Sequence, residues 1–148
     1  AFEYKNACNK VSKVEVEYFD LTGKEKADKA KVLRKVATNF TYDAKKCNLN
    51  YAENTDGQTV KLQYDARGRI AVIEDQSKKL VKVKYEEKFG KPELVTRPGL
   101  GTLKVVYKAD GEISSVDSKE GPQVAVQVAS ICNNLLDMIA PAQAENSL

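Results

Sequence analysis

The chain has 148 residues, 42% of them hydrophobic and 30% charged, the composition of one folded domain rather than of a disordered or membrane-embedded chain. Its 24 Lys and Arg against 21 Asp and Glu leave a net charge of +3, too weak a field to point to nucleic acid. There is no His and no Trp, which removes Ser-His and Cys-His nucleophile pairs and every His-containing zinc site, so neither metal nor cofactor is expected.

The sequence starts at Ala1 without Met and with a strand-like Phe2-Glu3-Tyr4, which reads as a processed or trimmed chain, such as a mature secreted form. Three cysteines, Cys8, Cys47 and Cys132, permit three pairings with one thiol left over. Cys8 and Cys47 lie in like settings, Phe2-Glu3-Tyr4 through Cys8-Asn9 and Phe40-Thr41-Tyr42 through Cys47-Asn48. They form the preferred disulfide if the chain is secreted. Three reduced cysteines used as small apolar residues is the competing reading.

Val14-Glu15-Val16-Glu17-Tyr18-Phe19 alternates as a half-buried strand does, and Gly23 follows. The next stretch is ambiguous, because Ala27, Ala30 and Leu33 have helical spacing whereas Val36, Thr38, Phe40 and Tyr42 alternate. A lysine-rich loop or short helix near 23–32, then a strand to about Tyr42, is expected. Charge concentrates here: between Lys24 and Lys46 there are eight basic residues against Glu25, Asp28 and Asp43, which is +5 and leaves −2 elsewhere. Lys24, Lys26, Lys29, Lys31, Arg34 and Lys35 are therefore candidate contacts for an anionic partner.

Tyr18, Tyr42, Tyr64, Tyr85 and Tyr107 follow one another at intervals of 24, 22, 21 and 22 residues, and the glycines keep step. Before each of the last three, apolar residues alternate with Lys61, with Lys82 and Lys84, and with Lys104. Each unit then reaches Gly68, Gly90 or Gly111 and turns back. The step from Tyr64 to Gly68, and from Tyr107 to Gly111, suits a type I turn followed by Gly at positive φ. Tyr85 to Gly90 has one residue more, so a bulge or longer loop is expected there. The tyrosines read as a column supporting each hairpin. Lys61, Lys82, Lys84 and Lys104 keep the other face wet and are the second set of candidate contacts.

From Gln123 the period changes. Gln123, Gln127, Ser130, Asn134 and Asp137 form one polar stripe on an otherwise apolar helix that starts at Gly121-Pro122 and is expected to end before Pro141. No stretch reaches the ~20 apolar residues that cross a bilayer, so a spanning helix is not expected. The fold expected is mainly β (α+β), one domain over 1–148. A curved antiparallel meander of repeated hairpins (2–117) packs around one C-terminal helix (122–139). A homodimer through that helix is the competing use of its apolar surface.

Tyr64-Asp65-Ala66-Arg67-Gly68-Arg69-Ile70 resembles the YD repeat of RHS-type proteins, in which Tyr-Asp, a two-residue gap, Gly-Arg and an aliphatic recur about every 20 residues. The resemblance covers roughly residues 40–117. The units at Tyr85 and Tyr107 keep Tyr and Gly but carry Glu86 and Lys108 in place of Asp, and Tyr42-Asp43 lacks the Gly. It implies a bacterial, envelope-associated β-repeat module, secreted or periplasmic, and names no catalytic residue. Carboxylate pairs such as Asp65 with Glu74, or Glu86 with Glu87, are the remaining candidates for acid-base chemistry, although Asp65 suits a turn-capping role. Arg97-Pro98-Gly99-Leu100-Gly101 lacks the Lys-Ser/Thr of a phosphate loop and reads as a connector. The functional expectation is a non-enzymatic binding or scaffolding module that meets an anionic envelope component or protein. A carrier of an apolar ligand, held between sheet and helix, is the alternative.

Overall fold

A computed structural model describes residues 1–19 and 32–144. Ten strands follow in chain order: β1 (Phe2–Glu3), β2 (Lys13–Phe19), β3 (Val32–Tyr42), β4 (Leu49–Asn54), β5 (Thr59–Tyr64), β6 (Ile70–Asp75), β7 (Leu80–Tyr85), β8 (Pro92–Arg97), β9 (Gly101–Tyr107) and β10 (Ile113–Ser118). One helix, α1 (Pro122–Ala144), ends the described chain. The strands form an open antiparallel sheet whose order is the chain order, so the molecule is mainly β, as the alternating apolar residues predict. The chain divides into two compact units, 1–58 with 140–148, and 59–139. The loop or short helix expected near 23–32 lies, except for Val32, outside the described residues.

Turns recur at a near-constant step through both units, most of them closed by a residue at positive φ three or four positions after the start; the Arg97 turn is shorter, with Gly99 two positions on and the Leu100 N–H donating to the Arg97 carbonyl at 2.9 Å. Turns start at Asp43, Asn54, Asp65, Asp75, Glu86, Arg97 and Lys108, which are 11, 11, 10, 11, 11 and 11 residues apart. The 22-residue Tyr-to-Gly interval is therefore two hairpin turns, one at each end of the sheet. The second series escapes a search for Tyr and Gly because its turn at Asp75 uses Lys78, at φ 61°, where a Gly would be expected. At Asp65, the Gly68 N–H donates to the Asp65 carbonyl at 3.0 Å and the Asp65 N–H to the Arg69 carbonyl at 2.8 Å. The Asp65 carboxylate accepts from the N–H groups of Arg67 and Arg69 at 2.9 and 3.0 Å. Gly68 and Gly111 have φ of 78° and 88°, the left-handed region that only Gly enters without a Cβ penalty. The register slips at Tyr42, Tyr64 and Tyr85 alike. Of the bulge or longer loop expected for the Tyr85 unit, the loop is longer by one residue, since the Glu86 N–H donates to the Lys91 carbonyl where the Asp65 N–H reaches Arg69. The bulge is shared by all three, because a type I turn followed by a left-handed residue leaves one strand a residue longer.

In the first unit, Val11, Val14, Phe40, Leu49 and Ala52 are buried. A Cys8–Cys47 disulfide joins two turns and leaves Cys132 free and buried. Cys47 has φ 55° and occupies the position Gly68 holds in its own turn. The Tyr42 hydroxyl donates to the Val11 carbonyl at 2.8 Å. β4 pairs with β3 only from Thr38 to Tyr42, so the outer halves of β2 and β3 form a ribbon of exposed Val16, Tyr18, Phe19, Val32 and Leu33.

In the second unit, Val60, Leu62, Val81, Leu103 and Val105 turn inward while Lys61, Lys82, Lys84 and Lys104 remain exposed. Cross-strand rows Leu62–Ile73–Val81 and Val83–Val95–Leu103 form the sheet side of the core. α1 supplies the other side with Ala125, Val128, Cys132 and Ile139, spaced at three, four and seven residues along one helical face. Val128, Ile73, Val60 and Val81 retain no exposed surface, and burial of each contributes about 1.5–3 kcal/mol. A Cβ built on Gly101 of β9 would stand 2.6 Å from Val124 Cγ1, so the start of the helix rests directly on backbone.

The helix departs from its expected end. It continues through Pro141 to Ala144 instead of ending at Ile139, since Pro near a C-terminus forfeits one backbone bond without preventing another turn. It is also long and apolar enough to cross a membrane by length and composition, with a mean hydropathy of 1.3. The polar stripe is too narrow to lower that average. Gln123, Gln127, Ser130, Asn134 and Asp137 are exposed, as a polar stripe should be, and Val126 is 70% exposed.

Candidate functional site

The conspicuous charges divide into those held by the turns and those left on the strands. Every acid that starts a turn is occupied by backbone. Asp43 accepts from the N–H groups of Lys45, Lys46 and Asn48, and Glu86 from those of Lys88, Phe89 and Lys91. The Lys46 amide, chiefly, holds the Asp43 carboxyl below its ordinary value, and the Arg69 amide does so for Asp65. Hydrogen bonds to the ionised form have this effect. Asp65 and Glu74 lie at opposite ends of the β5–β6 hairpin, since Tyr64 pairs with Ile70 but Lys61 with Glu74. They do not converge, and Glu86 is a turn cap beside exposed Glu87. Among the described residues no group of three His, Cys, Asp or Glu could hold a metal.

Arg69, Lys91 and Arg97, beside three of the turns, are engaged too. Arg69 Nε donates to Asp65 at 2.8 Å, and its guanidinium lies 4.4 Å from the centre of the Tyr85 ring. The Tyr85 hydroxyl in turn donates to the Ile70 carbonyl at 2.7 Å. One repeat on, Lys91 lies 5.6 Å over the Tyr107 ring, and the Tyr107 hydroxyl donates to Pro92 at 2.7 Å. These two turns thus grip the tyrosine of the next repeat. At the other end of the sheet, Arg97 donates to Asp75 at 2.8 Å and to the Leu80 carbonyl, with both side chains about a tenth exposed. This buried pair was not legible in the sequence, where Arg97 read as part of a connector; the 22-residue spacing of Asp75 and Arg97 was its only signal.

The sequence-predicted contact residues fall into three groups. Lys24, Lys26, Lys29 and Lys31 lie outside the described residues. Arg34 pairs with Asp56 and lies over the Tyr18 ring, and Lys35 pairs with Glu17 at 3.1 Å, so both are engaged within the first unit. Lys61, Lys82, Lys84 and Lys104 are exposed and form no ion pair among the described residues. Lys84 and Lys104 both stand opposite Leu94 on the face away from the buried rows, and Lys82 stands opposite Thr96. Beside them is a depression of about 470 Å³ lined by Leu94, Thr102, Lys104, Asp117, Lys119 and Glu120. Its Glu120 is held below the ordinary value, first by the Ser118 hydroxyl, which it meets at 2.6 Å. A second depression of about 340 Å³ reaches from Lys104 to the turn residues Glu86, Lys88 and Phe89. Lys104 lines both.

No family model and no curated protein matches the chain. Among solved structures it is similar to the crystal structure of TcdB2-TccC3-TEV, at 14% identity and a TM-score of 0.40. That match covers 80% of this chain and spans 7% of the other.

Proposed function

We propose that this chain is a non-enzymatic binding or scaffolding module of the bacterial envelope, built from YD-like hairpins, that meets an anionic partner through the lysine face of β5, β7 and β9. The observation that carries the reading is where the engaged charges lie: the acids that start the turns, with Arg69, Lys91 and Arg97, hold the repeats, whereas Lys61, Lys82, Lys84 and Lys104 share one face of the strands, exposed and without an ion pair among the described residues. Four ammonium groups on alternate positions of three strands make a surface for spaced anionic groups, and attraction of this kind weakens with salt. The Tyr, Asp, Gly and Arg of the YD-like motif each have a structural task here, which supports kinship in architecture. The Cys8–Cys47 disulfide fits an oxidising compartment, secreted or periplasmic.

The carrier reading has less support. Val60, Val81, Val128 and Ile73 keep no exposed surface, and both depressions carry charged walls. Retention on immobilised dextran sulfate, a model polyanion, tests the proposal. Wild type should elute at higher salt than the Lys82→Glu/Lys84→Glu/Lys104→Glu variant at unchanged thermal stability, and equal elution would count against the lysine face.

A further inference from the structure

β10 is hydrogen-bonded to β9 on one side and, among the described residues, ends the strand order on the other. Such an edge presents a row of unpaired N–H and C=O groups, which proteins ordinarily blunt with a very short strand, Lys, Pro or a covering segment. The opposite end of the order is blunted, because β1 has two residues. β10 has six, as long as most interior strands, with no Lys or Pro among them, and its one bulge belongs to the shared turn. Its first five residues are exposed. Val116 pairs with Val105 on the helix-bearing face, yet it is 47% exposed where Val105 is 8%. The helix does not cover it.

We propose that β10 is the docking edge for a second copy of this chain, paired antiparallel about a two-fold axis at Val116. An axis normal to a sheet relates a residue to its own equivalent, so only a few registers are open to self-pairing. Centring on Asp117 sets two carboxylates opposite each other, which destabilises a strand pair. Centring on Ser115 sets Ile113 against Asp117. Centring on Val116 pairs the two valines, sets Ser115 opposite Asp117 of the second copy and Ser114 opposite Ser118, and leaves Asp117 beside Lys104 of its own β9. Like charges, Glu112 and Glu120, then meet only beyond the strand ends. The two-fold keeps both helix-bearing faces on one side of the sheet, so each half-exposed Val116 covers the other. The exposed side of α1 offers a second copy a polar stripe with Val126 as its outlying aliphatic, which favours the edge over the helix as the seat.

The test is single-cysteine crosslinking under mild oxidation, read on a non-reducing gel, together with sedimentation of the wild-type chain. Cys8 and Cys47 are bonded and Cys132 is buried, so the background is silent. Val116→Cys should form a covalent dimer about tenfold faster than Ser114→Cys or Ser118→Cys alone, because only position 116 faces itself within disulfide reach. Mixing the Ser114→Cys and Ser118→Cys chains should give a crosslinked heterodimer. Unmodified wild type should sediment as a dimer at concentrations where Val116→Lys is a folded monomer. A wild type that stays monomeric at every concentration, equal crosslinking rates at the three positions, or assemblies larger than a dimer would overturn the proposal.

Discussion

At Gly68 an added Cβ would meet nothing within 4 Å, so Gly68→Ala carries only the penalty of its φ of 78°, about 1 kcal/mol. At Gly111 the same strain is joined by Phe89 ring carbons at 3.3 Å. Urea unfolding should therefore place Gly111→Ala below Gly68→Ala in stability, and the reverse order would sink the turn account. Asp75 supplies a pH test. Burial pushes its carboxyl up, but the Arg97 guanidinium and the amides of Lys79 and Ser77 together hold it below its ordinary value of 3.8. A carboxylate depressed on folding stabilises the protein above its unfolded pKa, and that stability is lost as pH falls through the folded value. Asp75→Asn should leave Arg97 buried without a counter-charge, cost about 3 kcal/mol near neutral pH, and flatten the stability profile below pH 4. An unchanged acid limb would show the pair to be energetically silent.

Among elements, the hairpins were the most legible, because alternating aliphatics and lysines with Gly at fixed offsets state both the strand and its turn. The Asn54, Asp75 and Arg97 turns were less so, since Lys78 takes a left-handed conformation that its side chain does not advertise. The disulfide explains the Gly missing after Tyr42: Cys47 accepts that conformation and is tied to Cys8 across 39 residues. Closing a loop of that length restricts the unfolded chain by about 4 kcal/mol. Thiol titration of the unreduced protein should find no reactive group when folded and one, Cys132, in denaturant; three would remove the bond. The helix was legible in type but not in facing. The face opposite much of the polar stripe carries Val128, Ile131 and Leu135, yet Ile131 and Leu135 are half-buried and Cys132 and Ile139 lie deeper. Ile139→Ala should accordingly cost about 3 kcal/mol, Leu135→Ala less, and Gln127→Ala almost nothing. Equal costs at 139 and 127 would mean that the helix is not a core element.

For the whole molecule, the candidate site was only half written in the sequence. Lysine positions could be assigned to a face, but whether a lysine is engaged depends on partners brought together by folding, as Arg34 with Asp56 and Lys35 with Glu17 illustrate. The central claim is that the acids that start the turns, with the cations paired to them, hold the structure while strand lysines meet the partner. Calorimetric titration with dextran sulfate, run alongside thermal unfolding of the same samples, tests it most directly. Asp65→Ala should lower the melting temperature and leave polyanion affinity unchanged, whereas the Lys82/Lys84/Lys104→Glu variant should lose affinity and keep its melting temperature. Loss of affinity in Asp65→Ala with none in the lysine variant would contradict the account.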